Sequence, residues 1–339
     1  MKNRLFFLGF FSAFIPLFNA LSYFSIFKRY SFKESIVFYL VLMYVLSVLI
    51  YGVFFFDKTL TLSAIRFYFG FLVFYVTFKY STFRFNDTHF RVLCALIILE
   101  AVLINTIIDP HVMPNFPDSS AYSHFNLGGY QRPYSFSGNA SVTSLLMVVL
   151  FSLLRFRIGN LIALSFCIAL LSSGVGIFSY FLLLLYIFSR SFSTFLLLAL
   201  ALVVAACFIF FVGGGIGDLA FLSSKVSNEY ILFLFDFKIE QIRNVYHGFT
   251  AMDFLIGNID NYQRIGLGGD FGWLYFISGF GFLGLVFIFF FLFFKLNKSN
   301  YYPLIMMIIF TLHYPAMFFL PGQVVLGYVL NQKRYEKIA

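Results

Sequence analysis

Long apolar runs recur along this chain from residue 5 to residue 330, and between them no polar stretch is long enough to form a second, soluble domain. That pattern constrains the fold more than any motif does. A run of about 20 apolar residues covers the hydrocarbon core of a bilayer as a helix, whereas a soluble protein of this length needs far more charge on its surface. Only 11% of the 339 residues are charged, against 61% hydrophobic. Runs such as FISGFGFLGLVFIFFFLFF do not alternate polar and apolar positions, as strands of a membrane barrel would. The sequence therefore predicts an all-α polytopic integral membrane protein, a single transmembrane domain over residues 1–339.

The apolar segments are 5–27, 35–55, 60–78, 91–108, 139–154, 158–171, 174–189, 194–212, 271–294 and 303–330. The last is long for one span and short for two, and Pro315 and Pro321-Gly322 are able to break it, so ten or eleven helices are expected. The basic N-terminus followed by an apolar stretch longer than a signal peptide's core is read as a retained span.

Two larger hydrophilic loops remain, at 109–138 and 213–270. Together they hold nine acids and five basic residues, a net −4, so of the chain's +9 the remainder carries +13. Basic connections mark the cytoplasmic side. This places 79–90, 155–157, Arg190 and the Lys295/Lys298 link inside, and both loops outside, on the trans side of an inner membrane. Lys28, Arg29 and Lys33 fit this alternation only if Lys2 and Arg4 do not. The net positive charge does not point to nucleic acid, because no Lys/Arg-rich tract exists to follow a phosphate backbone.

The first loop holds four of the eight prolines and a Gly-Gly pair, which predicts an irregular but ordered segment. In the second, Ile239, Ile242, Val245 and Tyr246 recur at helical spacing, which predicts an amphipathic helix on the membrane surface or over a cavity. Gly213-Gly214-Gly215-Ile216-Gly217 lacks the lysine and hydroxyl residue of a phosphate-binding loop, which argues against an ATPase.

Arg132, Arg243 and Arg264 are the only arginines in the two loops. A planar guanidinium grips phosphate through parallel hydrogen bonds, so several of them suit a diphosphate at the membrane surface. The plainer reading is a salt bridge each with loop acids. His247, four residues after Arg243, has the right ordinary pKa to take a proton from an attacking hydroxyl, and a neighbouring cation favours its neutral form. It also reads as a surface histidine without duty. Asp270 either orients an arginine or binds a sugar hydroxyl, or caps the following helix. The glycines at 272, 279, 281 and 284 are read as allowing close helix contact. Glu100 and Arg66 are costly to bury unless paired, with each other or in a cavity. Cys94, Cys167 and Cys207 read as small buried hydrophobes, and the five histidines form no metal pattern, so neither cofactor nor metal is expected.

These features resemble the O-antigen polymerase and ligase family. Arg132-Pro133-Tyr134-Ser135-Phe136-Ser137-Gly138-Asn139, leading from an outer loop into a helix, is similar to that family's arginine followed by a Gly/Phe-rich turn ending in Asn. The late outer loop with Arg243, His247 and Arg264 resembles the one carrying the family's essential arginines and, in the ligases, a histidine. Gly269-Asp270-Phe271-Gly272-Trp273-Leu274, with Gly279, Gly281 and Gly284, is similar to the helix that follows. The chain departs at Ser172-Ser173-Gly174-Val175-Gly176, where related chains carry an arginine. The resemblance implies polymerisation of undecaprenyl-diphosphate-linked repeat units on the periplasmic face, with arginines stabilising the leaving diphosphate and His247 or Asp270 assisting deprotonation. Its partners would be the lipid-linked glycan donor and acceptor, membrane lipids, and the chain-length regulator and flippase of the same pathway. Ligation of glycan to lipid A core, transport of a lipid-linked glycan and a non-enzymatic scaffold are the competing readings.

Overall fold

A computed structural model describes residues 34–81, 83–107, 132–189, 240, 242–244, 246–260 and 271–332. The apolar segments 5–27 and 194–212, with Cys207, His111 and His124, lie outside them. The described residues are helical, with no strand among them. The chain divides into two compact units, Met1–Tyr180 with Asp253–Ala339 and, separately, Phe181–Met252.

In the first unit, α1 is Ile36–Phe55, α2 Lys58–Phe69, α3 Phe71–Lys79, α4 Asp87–Thr106, α5 Ala140–Ser152 and α6 Ile158–Leu171. After α7 (Gly174–Ser189) and α8 (Ala251–Ile256), which cross between the units, come α9 (Gly272–Phe294), α10 (Tyr301–Phe310) and α11 (Leu320–Val329). By length and composition α1 and α9 are able to cross a membrane, and α2 with α3 make a third candidate, bent by 48°. At 1.5 Å per residue, the 20 residues of α1 match a hydrocarbon core of about 30 Å. This is a helical membrane protein. The segment expected at 60–78 is thus two helices meeting at Gly70, and 303–330 is two short helices rather than one span.

Both irregularities have a local cause. The bend between α2 and α3 would strand carbonyls in an apolar setting, which is tolerated only if neighbours satisfy them. Gln323, buried in α11, donates its side-chain amide to the carbonyls of Arg66, Phe67 and Phe318 at 3.0, 2.8 and 2.6 Å. Next to it α11 meets α3 backbone to backbone: a Cβ on Gly327 would lie 2.6 Å from the Phe74 carbonyl carbon. The break between α10 and α11 contains Pro315, and Pro321 opens α11 at a first-turn position, where its missing N–H costs nothing. The two form a hairpin, because Asn300 before α10 donates to the Val329 carbonyl at the end of α11, 3.3 Å away. All ten residues of α11 and eleven of the thirteen in α5 are buried, so these two short helices form the centre. Around Phe318, Tyr68, Phe276 and Trp273 pack at ring separations of 4.8 to 5.8 Å, each pair adding about 1 kcal/mol to area burial.

One end of this unit gathers the basic connections. Glu34, before α1, is fully buried at its side chain and pairs with Lys79 at the end of α3, while the Tyr75 hydroxyl donates to its other oxygen at 3.1 Å. Lys295, ending α9, lies 4.9 Å from the Tyr75 ring. Asp87, opening α4, pairs with Arg157 before α6 at 2.8 Å and accepts from the buried Asn160 side chain at 2.7 Å. The connections at 79–90, 155–157 and 295–298 therefore share one end, as the charge pattern requires. The start of α1 lies there too, consistent with the alternation that puts Lys33 on the basic side. Turn 132–139 and the start of α9 lie at the other.

Candidate functional site

The RPYSFSGN segment opens the opposite end. Glu100 sits near the C-terminal end of α4, and one of its carboxylate oxygens accepts the backbone N–H groups of Tyr134 and Ser135 at 3.0 Å each. Its partners are these amides and not Arg66, which is exposed on α2. Held this way, Ser135–Ser137 forms a 3-10 turn, with Ser135 at φ 59° and Gly138 at φ 68°. Glycine adopts that second angle freely, whereas Ser135 does so at a cost of about 1 kcal/mol. The Thr143 hydroxyl donates to the Tyr134 carbonyl at 2.9 Å and lies 2.7 Å from the Ser137 hydroxyl. Asn139 then caps α5, its side-chain oxygen accepting from Ser141 and Val142 at 2.9 and 3.2 Å. The motif is an anchored turn set against α4, α5 and α11.

This anchoring presents Arg132. Its guanidinium is half-buried, 6.0 Å from the Tyr134 ring centre, and burial lowers its pKa while the phenols of Tyr134 and Tyr314 act in the opposite direction. An arginine stays charged regardless, so the meaning is a partly desolvated cation, which attracts an anion more strongly than a hydrated one does.

Tyr314 belongs to the connection between α10 and α11, and the start of α9 is locked onto that same connection. The Phe271 amide donates to the His313 carbonyl at 2.7 Å, and the Trp273 indole N–H to the Ile308 carbonyl at 2.8 Å. A Cβ on Gly272 would lie 2.7 Å from both Pro315 Cα and the Thr311 carbonyl oxygen, so this glycine does permit close contact, as do Gly281 and Gly284, whereas Gly279 faces open space. The opening of α9 is thus packed on residues 311–315, the connection whose Tyr314 phenol also acts on Arg132. The helix N-cap is Phe271, with φ 71°, and not Asp270. Ser172-Ser173-Gly174-Val175-Gly176 forms the sharp α6–α7 turn beside them, and the Ser173 hydroxyl donates to that of Ser141 at 2.9 Å.

Of the five residues singled out from sequence, Arg132 is placed at this end of the first unit. Arg243 and His247 belong to the second unit, and both are exposed; residues 242–244 are helical, with Tyr246 packed edge-on to Phe249. Arg264 and Asp270 lie outside the described residues. Glu100, Tyr134, Thr143 and Tyr314 were missed as a set. Only Glu100 gave a signal, as an isolated carboxylate in an apolar helix. Among the described residues no three His, Cys, Asp or Glu side chains come together as metal ligands. Cys94 and Cys167 are buried free thiols, the Cys167 sulfur 3.8 Å from the Cys94 carbonyl.

Comparison with known protein families, with curated proteins and with solved structures finds no match to this chain.

Proposed function

We propose that this membrane protein is a glycosyltransferase that polymerises undecaprenyl-diphosphate-linked oligosaccharide repeat units at the periplasmic face of the inner membrane. The observation that supports this reading is Arg132, a partly desolvated guanidinium fixed by an anchored turn at the end of the bundle opposite the basic connections. If the basic end is cytoplasmic, Arg132 faces the compartment in which lipid-linked glycans are extended.

In the reaction, a hydroxyl of one lipid-linked repeat attacks the anomeric carbon of the sugar joined to diphosphate on the growing chain. The new C–O bond forms as the bond to the diphosphate oxygen breaks, and undecaprenyl diphosphate leaves with the electron pair. Arg132 stabilises the charge arriving on that leaving group, an interaction that strengthens in the transition state. The sequence assigns the same role to Arg243 and Arg264, and gives the hydroxyl proton to His247 or Asp270.

The test is reconstitution of the purified chain with undecaprenyl-diphosphate repeat units. Longer lipid-linked glycans are expected from the wild type, and a loss of at least a hundredfold from Arg132→Ala. No lengthening by the wild type, or full activity in Arg132→Ala, defeats the proposal. Transfer only when lipid A core is supplied would make the protein a ligase instead.

A further inference from the structure

Apolar on every side, α1 uses its faces differently. Val37, Phe38, Val41 and Val45 are buried in the bundle, while Ile36, Ile50 and Phe54 are 59 to 79% exposed. Between these faces, positions from Leu40 to Tyr51 at intervals of three and four residues line a cavity of about 450 Å³. Its other walls are α9, through Gly279, Leu283 and Phe287, and the segment after α8.

The cavity sits where α9 is broken. Gly281 leaves helical geometry at φ 63°, ψ −176°, and residues 255–257 seat in the break. The fit admits no side chain: a Cβ on Gly281 would lie 2.3 Å from the Leu255 carbonyl oxygen, and one on Gly257 2.3 Å from the Phe280 nitrogen. A Cβ on Gly279, by contrast, would have nothing within 4 Å.

Three observations define what fills this space. Its lining is mostly apolar, and two of its three side-chain hydroxyls are already satisfied, that of Tyr44 by the Phe280 carbonyl and that of Ser47 by the Met43 carbonyl, both at 2.9 Å. An ordered water needs two to four polar partners, so a lining of this kind suits a hydrocarbon chain better than water. The cavity also lies between α1 and α9, both long and apolar enough to cross a membrane, which puts its mouth at hydrocarbon depth. Finally, at roughly 30 Å³ per methylene, about the liquid volume of a water molecule, it takes a chain of about fifteen carbons. That is one fatty acyl chain, and several times too small for an undecaprenyl chain.

The geometry points to a resident-lipid site: the groove between α1 and the broken α9 holds one acyl chain of a membrane glycerophospholipid. The inference stands apart from the glycan reading and survives its failure. The full chain, reconstituted in phosphatidylethanolamine and phosphatidylglycerol vesicles and re-extracted in mild detergent, is examined by native mass spectrometry. The wild type is expected to keep one phospholipid per chain. Gly279→Leu and Ser47→Leu fill the cavity from opposite walls and lose that lipid, with helix content by circular dichroism unchanged. Retention of the lipid in both folded variants overturns the inference, as does a wild type that keeps none or keeps only a polyprenyl lipid. Should both variants fail to fold, a chain-labelled phosphatidylcholine on the wild type decides by electron paramagnetic resonance: one immobilised lipid per chain supports the site, and none overturns it.

Discussion

Glu100 offers a direct test of how the candidate site is held. Replacing it with alanine removes the acceptor for the Tyr134 and Ser135 amides, each now 3.0 Å from the carboxylate. A hydrogen bond to a charged group contributes about 1.5 to 3 kcal/mol, and the half-buried position argues for the lower value, so the two together hold the turn by about 3 kcal/mol. The left-handed Ser135 backbone adds to the effect, since it relaxes once the anchor is gone. Glu100→Gln keeps an acceptor oxygen without the charge and loses about half, near 1.5 kcal/mol. Hydrogen exchange at the two amides reads these energies as local opening. At about 1.4 kcal/mol per tenfold, exchange accelerates about a hundredfold in Glu100→Ala and about tenfold in Glu100→Gln. The Val148 amide, inside buried α5, serves as the control and stays slow, because the perturbation is local. Unchanged exchange at Tyr134 and Ser135 in Glu100→Ala, or equal acceleration in both variants, refutes the reasoning.

Gln323→Leu removes the donor to the Arg66, Phe67 and Phe318 carbonyls, the first of which keeps the Gly70 amide, and is expected to cost about 2 kcal/mol, roughly 1 kcal/mol for each of the two N–H groups lost, read as a lower midpoint in detergent unfolding. Gly281→Ala places a methyl where the Leu255 carbonyl already is; the cost is at least about 2 kcal/mol, and limited proteolysis after residue 255 measures the release of that segment. Cys94 and Cys167 stay unreactive toward maleimide in the folded protein and react on unfolding; labelling of either in the native state contradicts their burial. Leu312→Cys and Lys298→Cys, exposed positions at opposite ends of the first unit, are labelled from opposite sides of the membrane by an impermeant reagent, and labelling of both from one side ends the topological reading.

What was legible in the sequence was what hydrophobicity and backbone chemistry decide locally. Helices at 36–55, 158–171, 174–189 and 272–294 start and stop within a residue or two of the apolar runs, because a run of that kind has no other way to satisfy its backbone in lipid. The shared side of residues 79–90, 155–157 and 295–298 was readable for a similar reason, since charge is scarce enough for each basic link to carry topological weight. Pro315 and Pro321 marked the α10–α11 break. Long-range partners were not legible. Nothing near Gly70 announces a 48° bend, which depends on an amide 253 residues away in Gln323. Likewise, an isolated Glu100 in an apolar helix reads as half of an ion pair, and the sequence offers Arg66 as the other half. A folded chain has a second way to stabilise a buried carboxylate, by donating backbone N–H groups, which every loop possesses and no motif records. In this protein the loop so recruited is the one carrying Arg132. The residue that looked like a structural liability is thereby the one that fixes the candidate site, and the acid should be as sensitive to substitution as the arginine it positions.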